Sequence, residues 1–382
     1  MPNYNGQLNV NEVFGTIYNM IISQQVFAND IYKTASSLVD MSRVDGGLYG
    51  DTKLFYSTDV LKSYEWRGDE EASDLLKLHR PQAPKCQAIT IDRFRIIPLT
   101  VDNYLTKRAW STEGAFSSFN NRMIGWMRDT KRVYDAMMFN SFIGSHSTNG
   151  EEGKGTKQNV QISLPTEPAD ADEVNTEAYN RLKAQTIATG IADLIDDLED
   201  VTRDYNDYGN LRSLNINDLV FVWNKEFVNE ITKLDLPTIF HNDGLIEKFT
   251  QHSLNSRFFG NVNTSEGTTS GANSTIRSLI EVDYNTVEMD NPAYDPAKHI
   301  FPGDLLPPDT DYQANETYTE DHTIICKIYH KESVPLMSGF ETGSEFFNPR
   351  ALVRTLYIIW SYNHLEHIKN YPFITVKATS ES

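Results

Sequence analysis

Cysteine is almost missing from this chain. Cys86 and Cys326 are the only two in 382 residues, too few for a disulfide framework and in keeping with synthesis in a reducing cytosol. Long apolar runs are missing too. The strongest, at 356–360, falls far short of the roughly 18 residues a membrane span needs, so no membrane partner is expected. No basic stretch precedes an apolar run at the amino end, where Lys33 is the first basic residue, so no secretory signal is expected. Basic charge itself is scarce. Lys and Arg number 34 against 53 Asp and Glu, a net of −19, and such a chain repels phosphate backbones instead of gripping them.

Signatures of catalysis are equally thin. The nearest approach to a phosphate loop, Gly150-Glu151-Glu152-Gly153-Lys154-Gly155-Thr156, has the wrong spacing and two acids where phosphate would lie. His364 and His367 are spaced as a helical pair, but a strand-like run leads into them, and a chance pair outweighs a metal site. Asp204 to Gly209 matches a calcium loop only at its first, third and sixth positions, with Tyr208 at the fifth and Asn215 at the twelfth, so a turn is the better account. There is no Gly-x-Ser-x-Gly elbow, and neither cysteine has a histidine neighbour in sequence. Carboxylate pairs are expected by chance among 53 acids. Arg67-Gly68-Asp69 and the sequons at Asn263, Asn273 and Asn315 carry no weight in a cytosolic chain. No enzyme, cofactor or metal is expected.

Hydrophobic residues make up 39% and aromatics 11% of the chain, ample for a folded core. Val13, Phe14, Ile17, Tyr18, Ile21 and Ile22 recur at helical spacing behind a cap at Asn11, and a second helical piece runs from Asn29 until Gly46-Gly47 ends it. Residues 48–106 then predict a long hairpin. Its strands, 54–66 and 88–101, flank a polar middle containing Trp66, Arg67, Asp69, Glu70 and Glu71. Ile89 and Ile91 alternate with Thr90 and Asp92, and Arg93 and Arg95 with Phe94 and Ile96. Neither arm nor hairpin has core enough for itself.

A long helix is predicted to start at Ser111-Thr112-Glu113 and run to about Phe142. Phe116, Phe119, Met123, Trp126, Met127, Tyr134, Met137 and Met138 share one side of it, and Asn121, Arg128, Lys131, Arg132 and Asp135 the other. After a connection holding one strand at 160–164, a second helix is expected over 176–201. Leu182, Ile187, Ile191, Leu194, Ile195 and Leu198 point inward, and Asp193, Asp196, Asp197, Glu199 and Asp200 form a solvated face. An α/β unit follows: a buried strand at 219–223, a short helix at 225–234 and a run at 237–240. Polar loops are expected at 261–274 and 290–311, then strands at 323–329, 353–362 and 373–376. Charge is uneven: residues 166–208 hold twelve acids and three bases, net −9, whereas 93–132 hold eight bases and three acids, net +5. Pairing within one chain is the ordinary account, and docking between copies the other.

The order of these elements resembles the major capsid proteins of tailed bacteriophages, the Hong Kong 97-type α+β fold. Two stretches carry the resemblance best: Asp102 to Trp110 running into Trp126 to Asp135, and the tail Glu345 to Arg350, Tyr357 to Tyr362 and Ile368 to Phe373. Both are similar to coat proteins of small short-tailed phages. The resemblance implies an N-terminal arm (1–47), an E-loop hairpin (48–106), a P-domain with a spine helix (107–210), an A-domain with loop insertions (211–345) and C-terminal strands returning to the P-domain (346–382). It implies a structural protein of the virion, assembled in host cytoplasm from pentamers and hexamers of itself. Portal and scaffolding partners, and a double-stranded DNA genome enclosed without sequence-specific binding, follow from it too. Trp66, Arg67, Asp69, Glu70, Glu71, Arg93 and Arg95 are the expected subunit-interface residues. Two other readings stay open: an encapsulin-like nanocompartment shell, and a cytosolic hydrolase using carboxylates.

Overall fold

A computed structural model describes residues 36–65, 78–102, 113–148, 154–166, 173–232, 250–264 and 316–380. The expected helix at 13–22, the hairpin middle at 66–71, the run at 237–240 and the stretch at 290–311 lie outside them. In chain order the elements are α1 (Ser36–Ser42), β1 (Arg43–Asp45), β2 (Thr52–Ser57), β3 (Lys85–Thr90), β4 (Arg93–Asp102), α2 (Glu113–Ser145), β5 (Asn159–Leu164) and α3 (Glu173–Glu199). They continue with β6 (Leu219–Asn224), α4 (Lys225–Thr232), β7 (Thr250–Leu254), β8 (Gly260–Thr264), β9 (Glu316–Glu320), β10 (Ile324–His330), β11 (Leu336–Asn348), β12 (Val353–Tyr362) and β13 (Phe373–Ser380).

A five-stranded mixed sheet, ordered β5-β13-β10-β6-β7, is covered on both faces by helices. That explains the unbroken apolar run of β6, all six of whose residues are buried. Val220 and Val222 join Tyr329 and Phe373 against Phe139, Phe142 and Ile143 of α2. Leu219, Phe221 and Trp223 join Ile328, Ile374 and Val376 against Ile187, Ile191, Leu194, Ile195 and Leu198 of α3. Each such side chain contributes about 1.5–3 kcal/mol on burial, so the two helices clamp the sheet.

A second sheet, β1-β11-β12-β4, lies further along α2. Helix α2 has 33 residues, so it is about 50 Å long at 1.5 Å per residue and serves both sheets. Tyr134 contacts the second sheet through Trp360 (ring centroids 6.0 Å) and Tyr362 (6.4 Å). Where α2 ends, its backbone nearly touches a neighbouring loop: a Cβ on Gly144 would stand 1.9 Å from the Phe258 carbonyl oxygen.

The expected polar side of α2 needs correction. Arg128 and Arg132 are exposed as expected, but Lys131 and Asp135 are buried and Trp126 is exposed. The helix is flanked on more than one side here, and its charges are paired: Asp135 accepts from Arg43 Nη2 at 2.9 Å and Lys131 Nζ lies 2.5 Å from Glu341 Oε2. Burial raises the Asp135 carboxyl pKa against the pull of Lys131 and Arg43. On α3, Leu182 is exposed, whereas the five expected acids are solvated as foreseen.

The hairpin differs more. Only Thr52–Ser57 and Lys85–Thr90 pair as its strands. The chain bends at Ile91, fully buried beneath the turn, and β4 leaves for the second sheet, pairing with β12 from Arg93↔Tyr362 to Asp102↔Val353. The expected single strand 88–101 is therefore two strands in two sheets. Residues 261–264, expected as loop, form β8 against β9. Helix α1 ends at Ser42, not at Gly46-Gly47.

Candidate functional site

The described residues hold no group of three or more His, Cys, Asp or Glu side chains placed to bind a metal, and no helix among them is long and apolar enough to cross a membrane. Among the described residues, one histidine lies within ion-pair distance of an aspartate. Asp207 Oδ1 accepts from Gln158 Nε2 at 2.6 Å and from Thr148 Oγ1 at 2.7 Å, and its Oδ2 lies 3.7 Å from His367 Nδ1. The other ring nitrogen of His367 donates to the Tyr371 carbonyl at 2.9 Å. The ring is only 5% exposed, and burial presses it toward its neutral form. His146, stacked on Phe142 and edge-on to Phe373, is driven to a pKa of about 3 by burial, aided by His367 and Lys327. Lys327 completes the cluster, donating to His146 O (2.9 Å) and Thr375 Oγ1 (2.8 Å). This network ties the end of α2 to the C-terminal segment.

Surface is where the chain stands out. Along β4, Phe94, Ile96, Pro98 and Thr100 face outward and Arg93, Arg95, Ile97 and Leu99 inward. The register sets Ile96 opposite Ile359 and Pro98 opposite Tyr357, extending that outer face across β12. Phe94 rests on Tyr49 (5.6 Å) and Phe340 (5.4 Å), and further along β11 Phe346 is 60% exposed. β11 is exposed on both faces from Glu341 to Phe347, as a strand reaching past its own core would be. The β2–β3 hairpin presents Leu54 and Tyr56, 52% and 67% exposed, and the chain beyond it Leu61 and Tyr64. Apolar faces of this kind mark contact with other macromolecules.

The hairpin is nevertheless fixed firmly at its root. Asp59 accepts from Arg203 Nη1 at 2.6 Å and from the Leu211 amide at 3.0 Å. Burial pushes its pKa up, but those bonds and the Val60 amide outweigh it and hold the carboxyl at about 2. Arg212 Nη2 donates to the Thr58 carbonyl and Asn370 Oδ1, and Gln87 bridges the His367 carbonyl and the Lys369 amide. None of these anchors was legible in sequence, since each pairs residues more than 140 positions apart. Their signal was only the presence of polar residues flanking a β run.

Of the expected interface residues, Trp66, Arg67, Asp69, Glu70 and Glu71 lie outside the described residues. Arg93 and Arg95 are on β4, not on the hairpin. Arg95 turns inward, its Nε donating to Tyr362 Oη at 3.3 Å and its guanidinium 5.2 Å from the Tyr134 ring. Arg93 Nε lies 3.7 Å from Asp92 Oδ1.

Comparison with known proteins accords with this surface-dominated picture. No curated protein matches the sequence. A chain in the capsid structure of Staphylococcus phage Andhra matches with a TM-score of 0.59 at 11% identity, over 99% of this chain and 88% of that one. A chain in the structure of the head fiber and inner core protein gp22 of native bacteriophage P68 matches with a TM-score of 0.60, also at 11% identity and with the same coverage. At such identity the likeness speaks for the fold, the Hong Kong 97-type fold of phage capsids. The model of the Phi29-like phage major capsid proteins matches residues 4–320, which is most of the chain, and this chain therefore belongs to that family.

Proposed function

We propose that copies of this chain join as pentamers and hexamers into the icosahedral head of a tailed phage, each copy reaching its neighbours through the β2–β3 hairpin and the outer face of the β4-β12-β11 sheet. The observation that carries this is the pairing of exposed apolar faces with a firmly anchored root: Leu54 and Tyr56 on one element, Phe94, Ile96 and Phe346 on the other. Many modest contacts repeated by symmetry hold a shell without any one being strong.

In this reading the arm is 1–47, the E-loop 48–106, the P-domain 107–210 with α2 as its spine, the A-domain 211–345, and 346–382 the returning strands. Portal and scaffolding proteins are the further partners, and assembly takes place in the host cytoplasm. The net charge of −19 keeps packaged DNA from adhering to the wall; repulsion between exposed charges is screened beyond about 8 Å at physiological salt, so it hinders filling little. The protein acts by shape alone and catalyses nothing.

Deleting residues 62–80 tests the hairpin. Negative-stain imaging and size chromatography should show a soluble, folded subunit that no longer builds shells. Shells of normal diameter from the deletion chain would overturn the hairpin's role. A wild-type chain that stays monomeric under all salt and crowding conditions would count against self-assembly itself.

A further inference from the structure

We infer that the cleft at the hairpin root is an anion site that receives carboxylate side chains of a second copy of this chain, fixing the hairpin's angle as copies join. The inference rests on the self-assembly reading above and adds a site and a partner chemistry to it. The cleft encloses about 310 Å³ between the hairpin, the 154–156 loop and the 203–210 turn, and Lys85, Lys154, Arg203, Asp59, Asp204 and Tyr208 are among its lining residues.

Charge within it is unbalanced. Its two acids are already satisfied inside the subunit: Asp59 by Arg203 and the Leu211 amide, Asp204 by Lys157 Nζ at 3.1 Å. Lys85 Nζ stands 4.6 Å from the Tyr208 ring centroid, and among the described residues neither Lys85 nor Lys154 has a carboxylate within ion-pair distance. Two uncompensated cations thus share a concave site on a chain of net charge −19. A carboxylate entering it would meet both ammonium groups where water is partly excluded, and such charge-assisted contacts are about twice as strong as neutral ones.

Each copy also offers the complement. Asp193, Asp196 and Asp197 on α3, with Asp200 just past its end, fall at i, i+3, i+4 and i+7, all exposed, and among the described residues none is in an ion pair. Like charges at this spacing repel along the stripe, and docking on cations would relieve that repulsion. Cleft and stripe are different surfaces, so a contact between them is head-to-tail, the kind that closes into rings.

The test reverses charge in the full chain. Lys85→Glu with Lys154→Glu should lower shell yield at least tenfold in 50 mM salt, read by light scattering and imaging. The same should hold for Asp196→Lys with Asp200→Lys, and all four substitutions together should restore assembly. Yield unchanged by the lysine pair overturns the site while leaving self-assembly intact; wild-type chain that makes no shells fails the reading beneath it. Loss without restoration by the fourfold reversal overturns the choice of partner, and inorganic phosphate protecting Lys85 in the unassembled subunit would then identify a free anion as the occupant. A measurement free of folding effects is amine acetylation of wild type. Lys85 and Lys154 should be modified in the free subunit and protected in the shell, and equal reactivity in both overturns the proposal.

Discussion

Lys327 is fully buried on the α2 face of the five-stranded sheet, paired in register with Val222 and Thr375. Burial, reinforced by Lys377, drives its pKa from 10.5 to about 7. At 1.36 kcal/mol per pH unit, that drop corresponds to about 5 kcal/mol. Because the folded value lies below the unfolded one, the unfolded chain binds more protons between pH 7 and pH 10.5, and stability rises with pH across that window. Below pH 7 the folded state carries the whole cost of a buried charge; above pH 10.5 neither state is charged. Lys327→Met keeps the length of the side chain, loses two hydrogen bonds and removes the titration. Urea unfolding of the unassembled subunit at pH 6 to 10.5, for wild type and variant in parallel, isolates the effect, since all other groups titrate in both. The difference between the two curves should change by about 5 kcal/mol in favour of wild type as pH rises. A difference independent of pH would refute the claim that Lys327 is held in a medium that penalises its charge.

Four further outcomes follow from other positions. His146, held at a pKa of about 3 by burial and then by His367 and Lys327, makes the fold gain stability as pH climbs from 3 to 6.5; His146→Phe, which keeps the stack on Phe142, should flatten that part of the pH profile of thermal unfolding. Gly144→Ala places a methyl 1.9 Å from the Phe258 carbonyl oxygen, backbone that cannot yield cheaply, and should cost about 3 kcal/mol or more in denaturant unfolding. Leu352 has φ of 55° at the β11–β12 turn and is 48% exposed, so Leu352→Asn, which tolerates that conformation, should raise stability by up to about 1 kcal/mol. Asp59→Asn weakens the bond to Arg203 and should speed hydrogen exchange at the amides of β2 and β3 at least tenfold, with α3 unaffected.

Much of the scaffold was legible because burial on two sides leaves a plain trace. The run at 219–223 is apolar without alternation, since α2 covers Val220 and Val222 while α3 covers Leu219, Phe221 and Trp223. The strand at 353–362 was read to the residue, and α3 within three residues at either end. Failure came where one pattern served two neighbours. Residues 88–101 look like a continuous β run, and only the burial of Ile91 reveals that the chain changes sheets there. Lys131 and Asp135 resemble solvent-facing charges because their partners, Glu341 and Arg43, are 210 and 92 residues away.

β11 was missed for the opposite reason, and the miss bears on function. Glu341-Thr342-Gly343-Ser344-Glu345 has neither alternation nor apolar content, and every residue of that stretch is exposed, its tie to α2 being the Glu341–Lys131 pair. A strand usually earns its place by burying one face; this one is held by its ladder to β12 from Glu341↔Trp360 to Asn348↔Val353, and by the Glu345–Arg354 ion pair at 2.8 Å. The same holds for the hairpin, whose polar anchors secure the root while Leu54 and Tyr56 remain uncovered. An isolated subunit gains nothing from carrying apolar strands beyond its core, for exposed edges and faces of this sort invite uncontrolled association. In the proposed function the same liability becomes the means of construction, with identical neighbours as the cover. On that reading the elements hardest to foresee are those that would find their stabilising contacts in the next copy, and deleting 62–80 or reversing Lys85 and Lys154 probes them where a single chain's core cannot compensate.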